Sequence, residues 1–274
     1  MKRHRDLFAT AARYALLEHG RNHFALVLIA AFLPLWTALA YAAIPAPPVR
    51  VRLRATGEWL APHGNELTSI SGALNAVTLI TGFLMFAATF TSGPFDRRLA
   101  MAGFPRFHLM AAKLTGLCAA AAVIAAYATA VICLVWDPHQ PFHLALALFT
   151  AGMTYGVLGV GFGALLRREV EGMFAIVMTS IIDLLLQNPI MSAGADDAVT
   201  QFLPSYGAMQ TSIAAGFSTT FAGTSLLIQL AWCTAAAALA LLAFHHRTRS
   251  TLTRPAASPP GDTGTRHAAA TPTV

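Results

Sequence analysis

Apolar residues fall into runs long enough to cross a bilayer, and short polar links separate the runs. A spanning helix needs roughly 20 mostly apolar residues. Such runs cover residues 24–44, 67–90, 114–136, 142–166, 172–191 and 224–244. No Asp, Glu, Lys or Arg occurs between Leu67 and Phe95, or between Ala198 and His246. The second of these stretches is too long for one crossing. The pattern therefore predicts six spans.

The links carry their own signals. In residues 6–18, Leu7, Phe8, Ala11 and Ala15 fall on one helical face, with Asp6, Thr10 and Arg13 opposite. A basic amphipathic helix ahead of a span is expected to lie in the membrane interface. Between the second and third runs, Pro94 suits a first helical position and Asp96 a first turn. Gly103 suits the residue after a last turn, and Pro105 blocks continuation. These signals predict a short separate helix over 94–102. The fifth run ends at Gln187-Asn188-Pro189, because proline disfavours helical geometry at the residue before it. Beyond a small-residue loop, residues 204–217 place Tyr206, Met209, Ile213 and Phe217 on one stripe. That piece is too short to span, so a re-entrant or interfacial helix is expected. From Arg247 onward the apolar period is lost, which predicts a disordered tail. The expected organisation is a tail and interfacial helix over 1–22, a six-helix domain over 23–246 and a tail over 247–274. The expected fold class is an all-α membrane protein.

Composition agrees with the pattern. Charged residues are 11% of the chain and apolar ones 56%, where a soluble domain carries about 25% charged. Mean hydropathy is +0.59. The net charge of +6 is no nucleic-acid signature, because the basic residues sort by membrane side. On the side of the termini lie 15 Lys and Arg; the other side holds only Arg50, Arg52 and Arg54. The positive-inside rule then places both termini in the cytoplasm of a multi-pass protein. Ala38-Leu39-Ala40 resembles a signal-peptide cleavage site, but Asp6 and Glu18 precede the apolar run, so the first span is expected to be retained. Cys118, Cys133 and Cys233 sit in apolar stretches without pairable spacing and are expected to be small core residues.

Asp183 is the one full charge within a predicted span. An intramembrane carboxylate costs about 2.5–3.5 kcal/mol on insertion scales, so it must face protein or water. It is either a path or proton-linked group or an interhelical anchor. Asn75, Gln187, Asn188 and Gln229 are milder polar intruders, read as packing anchors. Gly152, Gly156, Gly159 and Gly163 are spaced for close helix approach. His139 and His143 flank Pro141 in a link, and a metal site there lacks the further ligands it needs. No G-x-S-x-G occurs and no G-x-x-x-x-G-K-[ST], and neither Lys2 nor Lys113 follows a glycine. The chain is therefore not expected to be an enzyme or to hydrolyse ATP by itself.

Taken together, the arrangement resembles the type-2 permease family of ABC transporters. The stretch Asp96-Arg-Arg-Leu-Ala-Met-Ala-Gly-Phe-Pro-Arg106, followed by Ala112-Lys113-Leu114, is similar to that family's coupling segment. Leu165-Leu-Arg-Arg-Glu-Val-Glu-Gly172 resembles its fourth-to-fifth turn. Asp183-Leu-Leu-Leu-Gln-Asn-Pro189, Leu203-Pro-Ser-Tyr206 and Gly216-Phe217 resemble its fifth span and outer re-entrant helices. The resemblance implies the membrane half of an exporter in a bacterial-type plasma membrane, moving drug-, antibiotic- or lipid-like molecules. Two permease chains, identical or different, would pair, and separate ATP-binding subunits would dock on the cytoplasmic face. This chain would bind no cofactor, and ATP with Mg would belong to the partner. Phe95, Asp96, Arg97, Arg98, Met101 and Arg106 would contact that partner. Asn75, Asp183, Gln187 and Asn188 would be intramembrane path or packing groups. The competing reading is a proton-coupled secondary transporter that uses Asp183.

Overall fold

The structure is a computed structural model, and it describes residues 2–192, 194–195 and 197–249. Helix α1 (Lys2–Arg21) leads into α2 (His23–Val27), a π-helical turn over Leu28–Phe32, and α3 (Leu33–Ala43). The π turn has a local cause. Pro34 lacks an N–H and its ring crowds the carbonyl four residues back. That carbonyl, on Ala30, instead accepts the Tyr127 hydroxyl at 3.2 Å.

Next comes an element outside the all-helical expectation. Strands β1 (Val51–Leu53) and β2 (Glu58–Leu60) form an antiparallel hairpin pairing Val51 with Leu60 and Leu53 with Glu58. Alternation explains it: Val51 and Leu53 point inward and are buried, and Arg52 points out. Leu53 packs with Ala214 and Ala222.

The remaining helices are α4 (Gly64–Met101), α5 (Arg106–Val135), α6 (Pro141–Leu165), α7 (Glu169–Gln187), α8 (Tyr206–Phe217) and α9 (Gly223–Arg249), with a 3-10 turn at Ala198–Phe202 before α8. Among the described residues, five helical segments are long and apolar enough to cross a membrane: Ala25–Ala43, α4, α5, α6 and Gly223–His245 of α9. Helix α7 is 19 residues long, carries Glu169, Glu171 and Asp183, and is not among these five. It ends at Gln187, with Asn188 extended at φ −82°, ψ 114°, as Pro189 requires.

Two expectations need correction. The first is the separate helix over 94–102, whose residues are the last turns of the 38-residue α4, with Pro94 inside it. Proline in a helix interior costs about 3 kcal/mol. The continuation is held by a pair that the linear sequence hides: Lys113 Nζ of α5 lies 2.9 Å from Asp96 Oδ2. The C-terminal signals do operate. Gly103 adopts φ +88°, Phe104 N–H donates to Leu99 O, and Gly103 N–H donates to Ala100 O. This is a Schellman cap. The second concerns the cysteines. Cys118 and Cys133 are exposed on the outer faces of α5 and Cys233 is half-buried, so these thiols are not core residues. Helix α9 also runs to Arg249, past the expected start of the tail. The rest of that tail, 250–274, lies outside the described residues, as do Ala193 and Asp196 of the small-residue loop.

Helix α6 is the central element and packs against α4, α5, α7, α8 and α9. A Cβ at Gly159 would land on the Gly82 carbonyl oxygen of α4, so the α4–α6 seam is a backbone-to-backbone contact. Helix α8 is buried on every face from Tyr206 to Gly216. At 12 residues it is about 18 Å long. It sits among α4, α6 and α9, and the stripe seen in the sequence is only part of its buried surface. The hairpin adjoins it, with Arg54 N–H donating to Gln210 Oε1 at 3.2 Å. Beside it Trp136 stacks on Phe217 and donates its indole N–H to Ser69 Oγ. At the opposite end, α1 lies along α5 with Leu7, Phe8, Ala11 and Ala15 turned inward, while Asp6, Thr10 and Arg13 are exposed.

Candidate functional site

Two regions hold the chemistry: a polar seam inside the bundle and a charged junction at the α1 end.

The seam starts at Asp183, which is buried. Its Oδ2 accepts the Tyr155 hydroxyl of α6 at 2.7 Å and the Ser205 backbone N–H at 3.0 Å. Its Oδ1 accepts the Gln187 amide, one turn along α7. Ser205 is the residue from which α8 starts. The carboxylate therefore sits at a helix N-terminus, where free N–H groups and the helix dipole favour an anion. The same Gln187 amide group also donates to Ser205 Oγ at 3.2 Å. Its Oε1 is buried without a partner among the described residues.

The other polar intruders extend the seam. Asn75 Nδ2 donates to Ser180 Oγ at 2.9 Å, and Thr78 meets the same hydroxyl at 3.0 Å. Asn188 Nδ2 donates to Ser71 Oγ at 3.1 Å, while its Oδ1 accepts Ile190 N–H at 2.9 Å. Gln229 of α9 accepts Ala208 N–H and donates to Thr154 Oγ1 and Pro204 O. Apart from the local Asn188–Ile190 bond, each ties α7 or α9 to α4 or α6, or ties the start of α8 to α9. In an apolar surround such bonds replace solvation that the groups have lost. The imidazoles of the link are engaged elsewhere: His139 Nδ1 bonds Gly216 O at 2.8 Å, and His143 packs against Phe221.

The junction lies where α4 ends. Phe95 and Met101 are 61% and 62% exposed, and Arg98 is exposed. Arg97 and Arg106 are half-buried. Asp96, grouped with them from the sequence, is instead turned inward: it is buried and accepts from Lys113 at 2.9 Å and from Ser92 Oγ at 3.1 Å. Lys113 also donates to Ser92 Oγ at 2.5 Å. Helix α1 covers this pair and leaves a cavity of about 360 Å³, with Glu18 and Tyr14 on one wall and Phe95 and Leu99 on another. Although the Glu18 side chain is exposed overall, partial burial of its carboxyl raises it above its usual range, opposed by Lys113 and reinforced by Asp96. Burial, helped by Lys113, lowers the His19 imidazole below its usual value.

Sequence reasoning found Asp183 and the α4 end but missed Tyr155, Ser205, Ser92 and Lys113 as their partners. Lys113 stood out in the sequence only as the one lysine beyond the N-terminal tail and as part of the stretch resembling the coupling segment, neither of which points to Asp96. No family model matches the chain, and no curated protein matches it.

Proposed function

We propose that this chain is the membrane subunit of an ABC transporter of the type-2 permease kind, exporting a hydrophobic or amphipathic substrate. ATP would be hydrolysed, with Mg, by a separate subunit docked where α4 ends. In this reading α7 is the fifth of six crossings and α8 a re-entrant helix. The links after α4, α5 and α6 are short, which favours antiparallel neighbours. Both termini then share the basic, cytoplasmic side of a bacterial-type plasma membrane. A second permease chain would complete the transport path.

The observation that carries the reading is the length of α4. At 38 residues it measures about 57 Å, against a hydrocarbon core of about 30 Å. The excess is a stiff extension of a core helix. It is clamped to α5 through Asp96 and Lys113, ends in a defined cap, and presents exposed Phe95, Arg98 and Met101. An apolar anchor beside a guanidinium is suited to docking on protein. A push on that end reaches α6 through the tight α4–α6 seam.

The proton-carrier alternative draws less support. Asp183 is engaged by three donors at the start of α8, which accounts for a buried carboxylate as an anchor. The test is co-purification from native membranes in mild detergent. An ATP-binding-cassette protein is expected with the wild-type chain and is lost with Phe95→Ala/Arg98→Ala. Recovery without any ATPase would overturn the reading.

A further inference from the structure

Helix α1 leans on α5 and leaves a crevice of about 570 Å³ against α4. The crevice sits where the chain enters the apolar region, since α1 ends at Arg21 and the first span begins at Ala25. One wall is apolar, with Leu84 and Ala88 of α4 and Leu17 of α1. The other is polar, with Glu18, Arg21 and Asn22. Glu18 and Arg21 are exposed residues, and neither forms an ion pair among the described residues. They do not pair with each other, although they are three residues apart on one helix. Asn22 Oδ1 is already taken by Ala25 N–H, which fixes that side chain.

We propose that this crevice binds a phosphatidylethanolamine headgroup. The phosphate would accept from the Arg21 guanidinium, the primary ammonium would donate to the Glu18 carboxylate, and the first methylenes of the acyl chains would lie on Leu17, Leu84 and Ala88. Charge complementarity selects this occupant. The wall offers one acid and one base, about 5–6 Å apart at Cβ for residues three apart on a helix. That spacing is comparable to the reach from phosphate to ammonium in one ethanolamine headgroup. An anionic glycerol headgroup would leave Glu18 facing negative charge. A choline headgroup has no N–H to donate. The mixed apolar and polar walls match the depth at which a headgroup meets its chains.

The site does not depend on the transporter reading, and its test needs no ATPase. The full-length chain is stripped of lipid in detergent. It is then titrated by native mass spectrometry with phosphatidylethanolamine, phosphatidylcholine and phosphatidylglycerol of identical acyl chains. A charge-assisted hydrogen bond predicts about tenfold tighter binding of the ethanolamine lipid than of the choline lipid. Glu18→Gln is expected to erase that preference, Arg21→Gln to weaken both lipids, and Leu84→Trp to block the crevice. Arg13→Gln, on the exposed face of α1, is the matched control and should change nothing. Equal affinity for the ethanolamine and choline lipids would overturn the proposal. Tighter binding of the glycerol lipid would do so as well, as would a preference unchanged in Glu18→Gln.

Discussion

At the scale of single residues, Asp183 is the most informative position. Its carboxylate receives the Tyr155 hydroxyl, the Gln187 amide and the Ser205 N–H. Replacing it with alanine leaves the Ser205 N–H without its acceptor, at a cost on the order of 1–3 kcal/mol, while the Gln187 amide keeps Ser205 Oγ and the Tyr155 hydroxyl keeps Thr179 O at 3.3 Å. Asp183→Ala is therefore expected to lower the Tm in detergent by more than Tyr155→Phe, which removes a single donor and leaves the Ser205 N–H and the Gln187 amide with their acceptor. If the chain exports as proposed, Asp183→Asn is expected to keep that export while losing some thermal stability. Abolished export at unchanged Tm would instead make the group part of a proton path. Asp183 stood out in the sequence as a lone acid in an apolar run. Its partners did not, because Tyr155 and Ser205 lie 28 and 22 residues away and meet it only through tertiary packing.

At the scale of elements, the α4–α6 seam rests on glycine. Gly159→Ala would drive a methyl into the Gly82 carbonyl of α4, with neither backbone free to yield. Overpacking of this kind costs about 1–3 kcal/mol. Gly161→Ala would meet Ala240 at an ordinary 3.7 Å and is expected to be tolerated. A thermal-shift comparison of the two variants checks this. The spacing of the glycines was legible in the sequence, but which of them faces a backbone was not.

Helix α1 offers a pH test. The His19 imidazole is lowered from 6.5 by burial against α5, so the docked state favours the neutral ring. That contribution is present above pH 6.5 and is lost as pH falls through the lowered value. Glu18, raised from 4.5, acts in the other sense: its contribution is present below 4.5 and fades as pH rises through the raised value. In a Glu18→Gln background, a spin label at Ala9 is expected to gain mobility below about pH 6.5. His19→Gln is expected to remove that dependence. A label with equal mobility from pH 7.5 to 5 would contradict it. The amphipathic face of α1 was readable from its period. The Pro94 signal misled because proline opens many helices, and only the Asp96–Lys113 pair shows that this one continues. The hairpin was missed because two three-residue strands give too short an alternation to notice.

At the scale of the molecule, a central α6 holds the apolar bundle together, a polar seam fixes α7 and α8, and α4 projects beyond the apolar region beneath α1. Under the proposed function, the end of α4 would act as a lever on this helical membrane body. The helical membrane character follows from the apolar runs and composition, which no packing detail can reverse. The proposed docking role rests on what the end of α4 touches. The most direct measurement is site-specific photo-crosslinking in native membranes, with a photoreactive residue replacing Phe95 and a second replacing Phe142, another exposed aromatic, on the far side of the bundle. The account predicts that the adduct from position 95 contains an ATP-binding-cassette protein and that position 142 gives none. Adducts to lipid alone at position 95, or the same protein from both positions, would contradict it.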